Sequence, residues 1–128
     1  MNFLLDTHAF IWFINGDKQL PRSVIKMIEN IENRCFISIA SLWEISIKTS
    51  LGKLSLKSDF SDIREILVHN QFEMLPIAFE HLQLLNKLTF HHRDPFDRII
   101  IAQGMSENLN IITKDENFSK YTSLVYWK

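Results

Sequence analysis

Cysteine is almost missing from this chain. Cys35 is the only one among 128 residues, so no internal disulfide can form and no thiolate metal site can be assembled. It sits in the apolar run Cys35-Phe36-Ile37-Ser38-Ile39 and reads as a small core residue rather than a catalytic thiol. That usage suits a reducing, cytoplasmic setting. Glycine and proline are scarce, at three each. No low-complexity tract, linker or internal repeat separates one part of the chain from another, and one domain over residues 1–128 is expected. No segment approaches the ~20 uninterrupted apolar residues of a membrane span. Met1 to Ile14 is apolar but lacks a basic start and carries Asp6 and His8, which makes a poor signal peptide. Charge of one sign is lacking too. Fourteen Lys and Arg face fifteen Asp and Glu, so the whole molecule does not steer toward nucleic acid, and any RNA would need a local basic patch.

What is present is bulk. Hydrophobic residues make up 46% of the chain, with ten Phe and three Trp, enough to fill a core at this length and to exclude disorder. Short β-rich runs alternate with longer helical ones, the pattern of an α/β domain with a parallel sheet. Strands are predicted at Asn2 to Leu5, Arg34 to Ile39, Phe72 to Pro76, Asn110 to Thr113 and Leu124 to Trp127. A helix from Thr7 or His8 to Asn15 is closed by Gly16. Pro21 opens a second through Ile31, with Val24, Ile25, Ile28 and Ile31 at helical spacing. A third starts near Ser41 and ends by Gly52. A fourth runs from Asp59 or Ser61 to Asn70. The fifth, Phe79 to Leu88, carries Phe79, Leu82, Leu85 and Leu88 as a stripe. The sixth opens at Asp94-Pro95 and runs to Asn108, and a helical turn follows Asp115.

In such sheets ligands bind at the carboxyl ends of the strands, and acids fall there. Asp6 ends the first strand, Asp115 follows the fourth by two residues, and Glu44 is expected in the first turn of the helix after the second, a largely buried helix where a free carboxylate is costly. Asp94 and Asp97 flank Pro95 at the start of the sixth helix. Each has a plain alternative. Asp6, Asp94 and Asp115 suit helix caps, Asp97 suits the positive end of a helix dipole, and Glu44 could pair with Lys48 at i, i+4. Together the caps persuade less, because carboxylates meeting at one edge repel unless a cation intervenes. Mg²⁺ takes oxygen ligands and keeps several waters, so a few acids suffice to hold it. Such ions activate water at a phosphodiester.

Other chemistries find less support. His91 and His92 are adjacent and not placed to grip one metal, and no His-x3-His or His/Cys set suggests zinc. Ser41 lacks the glycines of a nucleophile elbow. A receiver domain would need an aspartate after the middle strand, where Leu75-Pro76 stands. A haloacid-dehalogenase-like phosphatase would need Asp at position 8, which is His8. Lys48, Lys53 and Lys57 form either an RNA-phosphate patch or a solvated face.

Four segments carry a resemblance: Phe3-Leu4-Leu5-Asp6-Thr7-His8, Ile39-Ala40-Ser41-Leu42-Trp43-Glu44-Ile45, His92-Arg93-Asp94-Pro95-Phe96-Asp97-Arg98 and Thr113-Lys114-Asp115. In order and spacing they resemble the motifs of PIN-domain nucleases, closest to the VapC-like toxins of bacterial toxin–antitoxin pairs. The resemblance implies a three-layer α/β/α fold with a central, mainly parallel sheet. It implies an Mg²⁺-dependent endoribonuclease, with Mn²⁺ as a substitute. Asp6, Glu44, Asp97 and Asp115 match the family's acidic, metal-holding positions. Asp94 ranks second, as cap or outer support. Thr7 and Ser41 are candidates to orient acids or waters, and Arg98 to brace Asp97 or meet a phosphate. The family also implies an RNA substrate, a cognate antitoxin and a homodimer. A PIN nuclease of RNA processing without an antitoxin, and a PIN module that binds without cutting, remain the alternatives. Trp12, Phe13, Phe79 and Leu85 are readable as interface or as core.

Overall fold

The computed structural model describes residues 1–128. Its centre is a five-stranded sheet in which every pairing is parallel. The strands are β1 (Asn2–Leu5), β2 (Arg34–Ser38), β3 (Glu73–Leu75), β4 (Asn110–Ile112) and β5 (Val125–Tyr126), in the spatial order β3-β2-β1-β4-β5. The register sets Leu5 beside Ile37 on one side and Ile112 on the other. The chain builds outward from β1 to β3, then returns to lay β4 on the opposite side of β1. That reversal makes the gap between the carboxyl ends of β1 and β4 the switch point, where such sheets take their ligands.

The strands are apolar on both sides because helices cover both faces. Side chains alternate with the strand period. Phe3, Leu5, Cys35, Ile37 and Ile112 enter one buried cluster, and Leu4, Ile111 and Phe36 enter the other. The first face is covered by α1 (Thr7–Asn15), α2 (Arg22–Glu29) and α4 (Ile63–His69), through residues such as Phe10, Val24 and Leu67. The second is covered by α5 (Phe79–Lys87) and α6 (Pro95–Ser106), with Ile100 and Ile101 fully buried. The remaining helix, α3 (Ile39–Ser50), serves both, sending Leu42 and Ile45 to one cluster and Ala40 to the other. No helix is long and apolar enough to cross a membrane.

Two glycines have definite work. Gly16 ends α1 at φ 64° and donates its N–H to the Phe13 carbonyl, a left-handed cap that any side chain would strain. Gly104 lies where α6 meets β4. A Cβ there would stand 2.5 Å from Ile111 Cδ1, so any larger residue would force the buried Ile111 side chain to move.

The predicted elements are all present, with shifted ends. Ser38 caps α3 by accepting from the Ala40 N–H at 3.0 Å. The helix therefore starts at Ile39, and Glu44 lies in its second turn, not its first. The second helix stops at Glu29 and leaves Ile31 exposed. A 3-10 turn at Phe60–Asp62 precedes α4, and another at Glu116–Lys120 follows Asp115. The expected stripe on α5 holds at its far end, where Leu88 is buried and Leu85 packs against the core, and fails at its start. Phe79 is 71% exposed and Leu82 is exposed, whereas the buried residue of that helix is His81. Its Nδ1 accepts from the Ala78 N–H and its Nε2 lies 2.9 Å from Glu107 Oε2. A polar side chain with both ring nitrogens satisfied thus outcompetes two apolar ones for the interior.

Candidate active site

Four elements deliver acids to the switch point. Asp6 follows β1 at once and is buried. Both its oxygens are held: Oδ1 accepts from the Ala9 N–H at 2.8 Å as the cap of α1, and Oδ2 accepts from the Thr113 hydroxyl at 2.5 Å. Asp115 follows β4, caps the short turn after it through the Asn117 N–H at 2.8 Å, and donates its own backbone N–H to the Thr113 hydroxyl oxygen at 3.0 Å. Thr113 therefore ties the two strand ends together. Asp97 stands in the first turn of α6, which Asp94 caps by accepting from Phe96 N–H at 2.8 Å and Asp97 N–H at 3.2 Å. Glu44 leans in from α3 with its side chain only 4% exposed.

The electrostatics report how close these groups are. Burial pushes the Asp6 carboxyl up to about 6; Thr113, the Ala9 N–H and His8 oppose the rise, and Asp115 adds to it. Asp97 is pushed up to about 7, by burial first, then by the charges of Asp94, Asp6 and Glu44, with His92 opposing. Carboxylates raised by burial and by one another mark a place built to hold negative charge against a cost. Glu44 Oε2 accepts from Lys48 Nζ at 2.7 Å, while Glu44 Oε1 is buried with no partner at all. A buried, unpaired carboxylate oxygen is expensive, and the charge of Glu44 helps to raise Asp97. Lys48 lies in reach of these acids; its ammonium is held above its ordinary range by Glu44, against burial, with Asp94 and Asp97 adding.

Asp97 thus feels Asp6 and Glu44, and Asp6 feels Asp115; the cap readings of Asp6, Asp94 and Asp115 hold as well. Capping fixes these side chains without exhausting their oxygens, each of which has two lone pairs. The i, i+4 pair of Glu44 with Lys48 also exists, but with a buried acid. Lys48 is thereby separated from Lys53 and Lys57, which are exposed.

Three expectations fail. Arg98 neither braces Asp97 nor faces a phosphate. It is 6% exposed, and its guanidinium donates to the carbonyls of Thr89, His92 and Leu88 at 3.0, 3.3 and 3.2 Å while lying 4.0 Å from the centre of the Phe90 ring. A five-donor fork suits this stapling of a loop. Thr7 and Ser41 do not orient the acids; both are buried, and the Thr7 hydroxyl donates to Ser41 Oγ at 2.9 Å, which links α1 to α3. His91 and His92, adjacent in sequence and not expected at the site, part company. His91 packs edge-on against Tyr121, and His92 enters the cluster, with Nε2 2.8 Å from Asp115 Oδ2 and 3.1 Å from Asp97 Oδ2. Thr113 is the other residue missed as a site member. Its signal was available, since a Thr two residues before an Asp at a strand end readily accepts that residue's N–H. His92 gave no such signal.

Comparison with known proteins agrees with this architecture. The chain is similar in fold to VapBC2 from Rickettsia felis bound to a DNA fragment from their promoter, at TM-score 0.72 and 17% identity over 98% of this chain and 96% of that one. It is similar to VapBC-1 from nontypeable Haemophilus influenzae, at 0.70 and 18% over 100% and 97%, and to FitAcB from Neisseria gonorrhoeae, at 0.68 and 17% over 97% and 96%. No curated protein matches the chain in sequence. At such identities the likeness speaks to fold alone. The family model of the PIN domain, however, matches residues 3–124, from the second residue of β1 to the edge of β5, and by that match the chain belongs to the PIN domain family.

Proposed function

We propose that this chain is a divalent-metal-dependent endoribonuclease and the toxin of a toxin–antitoxin pair. PIN domains are generally nucleases that use divalent metal ions. The observation that carries the reading is the charge imbalance at the switch point. Asp6, Glu44, Asp97 and Asp115 converge there, two of them raised toward neutrality by burial and mutual repulsion, with one buried Glu44 oxygen lacking any partner. The donor set is made of carboxylate oxygens, which fits Mg²⁺ or Mn²⁺ and not zinc. Asp6, Glu44, Asp97 and Asp115 would hold the ion. When bound, it supplies a centre that activates water and stabilises charge during phosphodiester hydrolysis.

The remaining roles belong to the chain. Thr113 holds both acids through one hydroxyl, which donates to Asp6 Oδ2 and accepts from the Asp115 backbone N–H. Asp94 sets the start of α6 and so the direction of Asp97. Arg98 holds the loop at residues 88–92 against α6. Lys53 and Lys57 are free to meet an RNA backbone in solvent. The structural neighbours from Rickettsia felis, Haemophilus influenzae and Neisseria gonorrhoeae, with a toxin–antitoxin complex from Klebsiella pneumoniae, support the antitoxin part of the reading. A homodimer belongs to the same proposal.

The test is cleavage of a pool of total tRNA and ribosomal RNA by the purified protein, with Mg²⁺, with EDTA, and beside Asp6→Asn. Discrete fragments that need Mg²⁺ and vanish in the variant are expected. No cleavage with any divalent metal, from folded protein free of a bound inhibitor, would leave a PIN module that binds without cutting. Co-purification with the product of an adjacent small gene separates a toxin from a nuclease of RNA processing.

A further inference from the structure

One side chain joins two of the proposed ligands, and it is not an acid. His92 Nε2 and the facing oxygens of Asp97 and Asp115 all lie within 4.8 Å of one another, close enough to suggest a three-ligand metal site with His92 as a member. The other ring nitrogen argues against that. The Asp94 backbone N–H donates to His92 Nδ1 at 3.2 Å, so Nδ1 presents a lone pair. In a neutral imidazole one nitrogen accepts and the other carries the proton, which places the proton on Nε2. That nitrogen has no lone pair left for a metal, but it can donate to Asp115 at 2.8 Å and to Asp97 at 3.1 Å. The ring is also held in place: it meets Phe118 edge-on, its backbone N–H donates to the Tyr121 hydroxyl, and its carbonyl accepts from Arg98.

We propose that His92 is a positioning residue, whose Nε2–H bridges Asp97 of α6 and Asp115 of the loop after β4 and spaces the two carboxylates for a divalent cation without ligating it. The proposal rests on the divalent-ion reading of the site. Its physical basis is simple. The two acids come from separate elements and repel, and a donor between them offsets the repulsion and orients one oxygen of each. Removing the partner that orients a metal's ligand costs ~10–100-fold in metal affinity.

The experiment uses the intact, chelator-treated protein with Mn²⁺ as probe. Affinity is read from the electron paramagnetic resonance of free Mn²⁺, nitrogen coordination from spin-echo modulation of bound Mn²⁺, and the neutral tautomer from long-range ¹H–¹⁵N correlations. The expected results are an Nε2–H tautomer, no directly bound imidazole nitrogen, and ~10–100-fold weaker Mn²⁺ binding in His92→Ala. His92→Gln, whose amide places a donor near Nε2, should recover most of the loss. An Nδ1–H tautomer, a coordinated nitrogen, wild-type affinity in His92→Ala, or a Gln variant that melts like wild type yet binds as weakly as the Ala variant would each overturn the role. Wild-type protein that takes up no Mn²⁺ would overturn the metal reading itself, and this inference with it.

Discussion

Asp97 and Arg98 are neighbours in sequence at the start of α6, and they belong to two regions that treat buried charge in opposite ways. Around Arg98 everything is paired. One guanidinium satisfies the carbonyls of Thr89, His92 and Leu88, approaches Leu85 and the Tyr121 hydroxyl, and covers the Phe90 ring. Around Asp97 burial comes first and gathered negative charge second, and together they push its own carboxyl up to about 7. Complete pairing of a buried charge makes a rigid part. Incomplete pairing stores a cost that an incoming cation can relieve. The first region is architecture and the second is readied for a ligand, and the same helix start serves both.

The comparison breaks most sharply by substitution at these two positions. Asp97→Asn should lower RNA cleavage by ~10²–10³-fold, the scale on which losing a group that stabilises transition-state charge is felt, while the protein folds normally. Activity within a few-fold of wild type would show that Asp97 is not in the reaction. Arg98→Ala should do the reverse. Truncating it unpairs several buried carbonyls at once and should cost ~3 kcal/mol of unfolding free energy, read from urea denaturation. Arg98→Lys should recover little of this, because a point-like ammonium cannot reach carbonyls spread around a fork. A loss under ~1 kcal/mol in Arg98→Ala would mean that water replaces the guanidinium and that the loop is not stapled.

The two regions also differ in how much of them could be read beforehand. The α/β class, the parallel sheet and the positions of Asp6 and Asp115 follow from apolar runs of strand length that lead to an acid, and that of Asp97 from the Asp-Pro start of a helix, all local patterns. The role of Arg98 does not. Its partners are the carbonyls of Leu85, Leu88, Thr89 and His92, and a carbonyl has no sequence signature. Glu44 was legible as a buried acid but misplaced by one turn, because Ser38 rather than Ser41 caps α3. The α5 stripe was right at Leu85 and Leu88 and wrong at Phe79 and Leu82, because hydrophobic spacing alone does not say how much of a helix face is covered. His81 takes that face through two hydrogen bonds whose partners, Ala78 and Glu107, lie on either side of a tertiary contact. His92 is hidden for the same reason: Asp115, its nearer acid, is 23 residues away in sequence.

A gentler test uses pH. With Asp97 raised to about 7 and Asp6 to about 6, the folded chain holds protons that the unfolded chain, with carboxyls near ~4, has already released. The stabilisation from these protons is fully present below about pH 4 and is lost as pH rises through about 6 and 7. In EDTA the difference in stability between Asp97→Asn and wild type should therefore depend on pH. The variant should be more stable by ~1–3 kcal/mol at about pH 8, where Asp97 is charged, and the gap should close by about pH 5. Adding Mg²⁺ at about pH 8 should raise wild type and leave the variant nearly unmoved, since only a folded site that binds the ion gains from it. A gap that widens toward acid would mean that Asp97 is ordinarily ionised in the folded state and carries no stored cost.

Asp94 tests the border between the two regions, and the expected effect is the smallest. Its carboxylate caps α6 through the Phe96 and Asp97 N–H groups and also raises the Asp97 carboxyl by its charge. Asn caps a helix about as well as Asp, so Asp94→Asn should change stability by less than ~0.5 kcal/mol, whereas Asp94→Ala should cost ~1 kcal/mol. Cleavage in Asp94→Asn should fall only a few-fold, because the charge lost is one that Asp97 feels from its side rather than one that holds the ion. A collapse of cleavage to the level of Asp97→Asn, with stability unchanged, would move Asp94 from the architectural side of the helix start to the ligand side.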